Sequence, residues 1–226
     1  MFGSKSYLNI LNKIKKKNFI FVNDWKKIKK KNVLLRHDID FSLKYALIIA
    51  KQENKKKIKA TYFFMFSSNF YNLFSKHSQK IIFDITKLGH KISLHFDPTA
   101  YNDINFGAKL EIKTFEKLFK TKLDIISIHR PGSFLKQNNK KLCNCSHTYQ
   151  DKFFKSIRYV SDSGGKNIIK KIDKLILDEL PIQILIHPVW WSTNAQNVKK
   201  RLNFFLKENK SFLKDEIKLN CKTYKD

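Results

Sequence analysis

Val33-Leu34-Leu35-Arg36-His37-Asp38-Ile39-Asp40 runs from branched hydrocarbon into two acids within one short segment. Its apolar part has the composition and length of a buried strand. The stretch that follows, residues 42–53, places Leu43, Ala46, Leu47 and Ala50 on one helical face. A buried strand feeding an amphipathic helix is half of a βα unit. The same pattern recurs along the chain. Further short apolar runs lie at residues 60–66, 92–96, 124–129, 158–160 and 182–187. Helical patterns occupy residues 108–119 and 168–180, and residues 194–226 read as a basic helical tail. Alternating strands and helices predict a mainly parallel sheet in a single domain spanning residues 1–226, with basic helical extensions at both ends.

In parallel α/β folds the chemistry gathers at the carboxyl ends of the strands. The first run ends in Arg36-His37-Asp38-Ile39-Asp40, the third in His95-Phe96-Asp97, and the fourth in His129-Arg130-Pro131-Gly132. The fifth ends in Ser161-Asp162-Ser163 and the sixth in His187-Pro188, with Trp190 and Trp191 just beyond. Four of the seven histidines therefore fall at expected strand ends.

Asp38 and Asp40 are too close to share a site as anions unless a cation neutralises one of them. One metal ligand and one general base would account for both, while Ser42 is suited to cap the following helix. His90 and His95 are an odd number of residues apart, so one strand cannot aim both inward. His95, at the strand end, is the candidate ligand, and His90, after Gly89, is read as structural. Trp190 and Trp191 are candidates for a sugar-stacking platform, with core packing as the plain alternative. Cys143-Asn144-Cys145 with His147 looks like half a zinc site, but the chain has no second cysteine pair.

The chain has 226 residues, with 46 Lys and Arg against 19 Asp and Glu, a formal charge of +27. Only Arg36, Arg130, Arg158 and Arg201 among the basic residues are arginine. Dedicated nucleic-acid binders use arginine forks for phosphates and bases, so no specific nucleic-acid partner is expected. Hydrophobic residues make up 42% of the chain and aromatics 14%, enough for a sizeable core. Three cysteines make no disulfide framework. The N-terminal residues lack a signal-peptide apolar run, and no run is long enough to span a membrane, so the expected location is cytoplasmic.

In this order the strand-end motifs resemble the polysaccharide deacetylase (NodB-homology) family over about residues 33–191. The resemblance implies an irregular (β/α) barrel that hydrolyses acyl groups on sugars with one divalent ion. By position, Asp38 resembles the base that activates water, Asp40 and His95 the metal ligands, and Arg130 the arginine that holds the base. Asp162 resembles the acid that tunes the last histidine, and His187 the general acid. The sequence departs from the family where a second metal histidine is usual and Thr99 stands instead. His129 is the chosen third ligand, with Asp97, His147 and His37 as alternatives. Mixed imidazole and carboxylate ligands suit Zn²⁺, and also Co²⁺, Mn²⁺ or Ni²⁺. The expected partner is an acylated sugar, carried on a nucleotide or a lipid, with peripheral membrane contact open and the oligomeric state unassigned. Two other readings stay open: a hydrolase of a non-sugar amide or ureide, and a degenerate basic protein that binds nucleic acid or a membrane surface.

Overall fold

The computed structural model describes residues 3–132 and 139–224. All six expected strands form. They are β2 (Asn32–Ile39), β3 (Thr61–Phe64), β4 (Lys91–Phe96), β5 (Ile125–Ile128), β7 (Arg158–Ser161) and β8 (Ile182–Ile186). Two short strands escape the sequence pattern, β1 (Ile20–Val22) and β6 (Ser146–His147). The order across the sheet is β6-β5-β4-β3-β2-β8-β7, with β1 paired to the start of β2, and every pairing is parallel. Among the described residues no ladder joins β6 to β7; a single helical turn, Asp151–Phe154, bridges them. The result is an open, irregular (β/α) barrel, as the family resemblance implied.

Helices cover the outer face. They are α1 (Ser4–Lys16), α2 (Leu43–Lys55), α3 (Lys76–Lys87), α4 (Ile104–Phe119), α5 (Ile169–Leu175) and α6 (Val198–Asn220). Ser42 caps α2 as expected, accepting a bond from the Tyr45 amide. The N-terminal extension is an integral part of the core: Tyr7, Ile10, Leu11 and Ile14 of α1 are buried.

Alternation along β2 sorts the chemistry. Val33, Leu35 and Ile39 join the large outer core under the helices, while Leu34 packs inside the curl with Trp25, Phe63, Ile125 and Phe153. His37 takes the outer phase. It meets Glu53 of α2 at 2.7 Å and stacks on Tyr62 at 4.4 Å. Tyr7 and Tyr62 also donate to Glu53, so this buried carboxylate has three partners. Burial opposes its charge, yet His37 holds its pKa below the usual range. His90 is on the same outer side, bonded to the Ala50 carbonyl at 3.1 Å, a structural role as expected.

Cys143 and Asn144 adopt left-handed φ values of 46° and 69° and turn the chain so that Leu142 bridges Cys145. The Cys145 thiol donates to the Leu123 carbonyl, and burial pushes its pKa up to about 11. These cysteines serve a turn. No described helix is long and apolar enough to cross a membrane.

Candidate functional site

The inner phase of the sheet carries Arg36 and Asp38 on β2, His95 on β4 and Ser127 on β5, and the same face continues into Asp40, His129 and His187 just past the strand ends. The register places His95 beside Ser127, which brings His129 next to His95 across the β4–β5 pair. The His129 amide also donates to the Phe96 carbonyl at 2.7 Å, extending that pairing past the strand end.

Three ligand atoms converge. His95 Nε2 is 3.2 Å from His129 Nδ1 and 3.3 Å from Asp40 Oδ1, and His129 Nδ1 is 3.8 Å from Asp40 Oδ1. Among the described residues, Asp40, His95 and His129 form a group able to hold a metal ion. Asp40 Oδ1 is buried with no hydrogen-bond partner, a lone acceptor facing two imidazole nitrogens. That donor set suits Zn²⁺ or a similar divalent ion. Outer contacts orient the rings. His95 Nδ1 meets Ser127 Oγ at 2.6 Å, leaving Nε2 directed at Asp40 and His129. His129 Nε2 is 4.0 Å from Asp97 Oδ2. Although burial opposes its charge, Asp40 is held well below the usual carboxylate range by the facing His95 imidazole and by His187 and His129.

The other expected third ligands stand elsewhere. His37 is on the outer face, and His147 on β6 is fully buried at the register of Ile126. Asp97 Oδ1 accepts from both the amide and the hydroxyl of Thr99. Thr99 thus braces Asp97, the neighbour of His129.

No family model matches the chain, and no curated protein matches it. Solved structures do. One is the chitin deacetylase of the fungal pathogen Colletotrichum lindemuthianum: 12% identity, TM-score 0.45, 78% of this chain and 81% of that one. Another is a family 4 acetyl xylan esterase from Clostridium thermocellum in complex with cobalt: 12% identity, TM-score 0.43, 79% and 83% covered. A third is a CE4 family pseudoenzyme from Bacillus anthracis: 12% identity, TM-score 0.46, 81% and 62% covered. Likenesses this distant decide nothing about chemistry, which has to come from the side chains of this site.

Beside the ligand triad stand two polar pairs. Asp38 is gripped at both oxygens by Arg36, Nε to Oδ1 at 2.8 Å and Nη2 to Oδ2 at 2.6 Å. Burial disfavours its charge, but Arg36 and then His95 keep its pKa below the ordinary value. Arg36 itself is fully buried, lies 4.7 Å from the Tyr149 ring centre and donates to Gln183. This corrects the expectation for Arg130. That residue follows the inward His129, takes a φ of 45°, and is exposed. It lies past the end of β5, where the left-handed turn sends it out to solvent. The signal for Arg36 was present in the sequence: it shares the phase of Asp38 two residues on and is one of only four arginines.

The second pair is His187 and Asp162. Asp162 Oδ1 accepts from His187 Nδ1 at 2.6 Å, and both of its oxygens accept from the His187 amide. Desolvation would lower the His187 pKa, but Asp162 outweighs it and the group is raised to about 9. His187 Nε2 points at Asp40 Oδ2 from 3.7 Å.

Trp190 and Trp191 are not a sugar platform. Trp191 is fully buried and donates its indole N–H to Asp162 Oδ2 at 2.6 Å, while Trp190 is only 6% exposed. The turn Pro188–Trp190 folds both rings back into the core. Trp191 thus anchors the acid that orients His187.

Proposed function

We propose that this chain is a metal-dependent hydrolase that removes an N-acyl group, such as acetyl, from an amino sugar or a sugar–carrier intermediate in surface glycan biosynthesis. The observation that carries the reading is one convergence: a carboxylate and two imidazoles facing one point, flanked by the Arg36–Asp38 and Asp162–His187 pairs. Asp40, His95 and His129 would hold the ion, which when bound polarises the acyl carbonyl and lowers the pKa of water.

The remaining chemistry belongs to the side chains. Asp38, 3.7 Å from His95 Nε2, is placed to take the proton of the attacking water. Arg36 fixes its plane, and each oxygen keeps a lone pair free for that proton. His187 Nε2 faces the same point and delivers a proton to the nitrogen as the acyl C–N bond breaks. Asp162 and Trp191 hold the ring so that Nε2 stays aimed at the site.

Purified protein loaded with Zn²⁺ should release acyl groups from nucleotide-linked or lipid-linked acetamido sugars, assayed beside chitin oligomers and peptidoglycan. Asp38→Asn should abolish release and keep the metal. Bound metal with no release from any of these sugars would sink the sugar reading and leave a non-sugar amide or ureide.

A further inference from the structure

Helix α6 is anchored at its start and presents a two-sided surface beyond it. Arg201 donates to the carbonyls of Trp190 and Thr193, at 2.6 and 2.7 Å. Phe205 packs edge-on against Phe41 at 5.6 Å. Trp190 lies on the turn after His187, and Phe41 follows Asp40, so the helix is fastened to loops that carry the site. Past this anchor its two faces differ. Phe205, Glu208, Phe212, Asp215 and Glu216 line the groove against α2 and α3, where Glu208 meets Lys44 and Tyr45. None of Leu206, Leu213 and Ile217 lines that groove; they are 56%, 53% and 45% exposed. Their spacing of seven and four residues sets them in one stripe. Lys207, Lys210, Lys214 and Lys218 run along one flank of the stripe, and by helical spacing the three acids fall outside this sector.

We infer that this outer face of α6 docks on an anionic lipid surface, with the helix in the interfacial plane. An aliphatic stripe flanked by lysines is the pattern of a helix that buries its apolar side at the acyl boundary while its ammonium groups reach the head groups. The net charge of +27 adds long-range attraction to such a surface. A second copy of the chain would bring lysine flanks together, which is repulsive. Nucleic acid calls for arginine forks and stacking aromatics, and this sector has neither. The loops after β2 and β8 are fastened to the other side of this helix, so docking would hold them one helix diameter, roughly 10 Å, from the head-group layer. The binding claim itself does not depend on the proposed reaction.

Co-sedimentation of the intact chain with vesicles tests it, using phosphatidylcholine alone and phosphatidylcholine mixed with phosphatidylglycerol. The protein should bind the anionic vesicles, and added salt should weaken binding. The triple variant Leu206→Ser, Leu213→Ser, Ile217→Ser should bind roughly tenfold or more weakly, with a nearly unchanged melting temperature because these side chains are already about half exposed. Ile217→Ser alone, far from the anchor, serves if the triple variant loses stability. Lys207→Gln with Lys210→Gln should weaken binding and flatten its salt dependence. Equal binding by wild type and the serine variants would overturn the inference, as would no binding by wild type. So would a wild-type dimer, or retention on RNA, that accounts for the stripe without vesicles.

Discussion

Replacing Arg36 with methionine would leave a carboxylate buried in the barrel without its counter-charge. Asp38 is 2% exposed and Arg36 fully buried, so water cannot take over the role of the guanidinium. Removing one partner of a buried ion pair costs about 3–5 kcal/mol. Loss of the contact with Tyr149 and the bond to Gln183 places the expectation toward the upper end. For a chain of 226 residues, each kcal/mol shifts the melting temperature by about 2–4 °C, so the drop should be roughly 6–20 °C. Adding Asp38→Asn to the variant removes the stranded charge. The double variant should therefore lose less than the sum of the two singles, with a coupling of about 2–3 kcal/mol. Arg36→Lys should recover only part of the loss, because an ammonium cannot reproduce two parallel N–H bonds. Arg130→Ala, at an exposed turn, should stay within about 0.5 kcal/mol of wild type. Chemical denaturation and thermal melts of these five variants give the cycle. A loss below about 1 kcal/mol for Arg36→Met, or a larger one for Arg130→Ala, would refute the assignment of Arg36 as the partner of Asp38.

Titration calorimetry with Zn²⁺ should show His129→Ala weakening binding about as much as His95→Ala, by roughly tenfold or more, with Thr99→Ala close to wild type; an undiminished affinity in His129→Ala would remove it from the ligand set. Trp191→Phe deletes one of the bonds that hold Asp162, so stability should fall by about 1–3 kcal/mol, and kcat should drop more than KM rises; unchanged turnover in a folded variant would show that Asp162 needs no such anchor. Glu111 is buried and bonded to Tyr101, and burial pushes its carboxyl up to about 7. Its folded pKa lies above its unfolded value, so the folded state binds the proton more tightly, and the resulting stability is present below about pH 4.5 and lost as pH rises to about 7. Relative to Glu111→Gln, wild type should therefore lose up to about 3 kcal/mol across that window; parallel stability curves for the two proteins would contradict this.

Local pattern sufficed for much of this protein. Each apolar run of strand length became a parallel strand; all but the edge strand β7 are buried on both faces, and such a segment has to be largely apolar whatever its neighbours are. Ser42 caps α2 because a cap depends only on the residues beside it. The outward His90 and the inward His95 follow from a period of two. The site residues were legible as strand-end residues for the same reason. Elements with little periodic signal were not: β1 and β6 are three and two residues long. The N-terminal helix was legible as a basic extension, but not the burial of its Tyr7, Ile10, Leu11 and Ile14 face in the core.

What only the tertiary structure decided is which strand ends meet. The pairing of β4 with β5 carries His129 to the ligand point, while His147 on β6 and His37 on the outer face, equally eligible as residue types, stay away from it. Packing inside the curl takes the Arg36–Asp38 pair out of water, while the turn after His129 sends Arg130 out to solvent. Trp191 could equally have faced a ligand or the core. The fold of the turn after β8 set its indole N–H on Asp162. Facing is readable from a residue's own strand, but partners depend on strand order and register, which are set by packing between segments far apart in the chain.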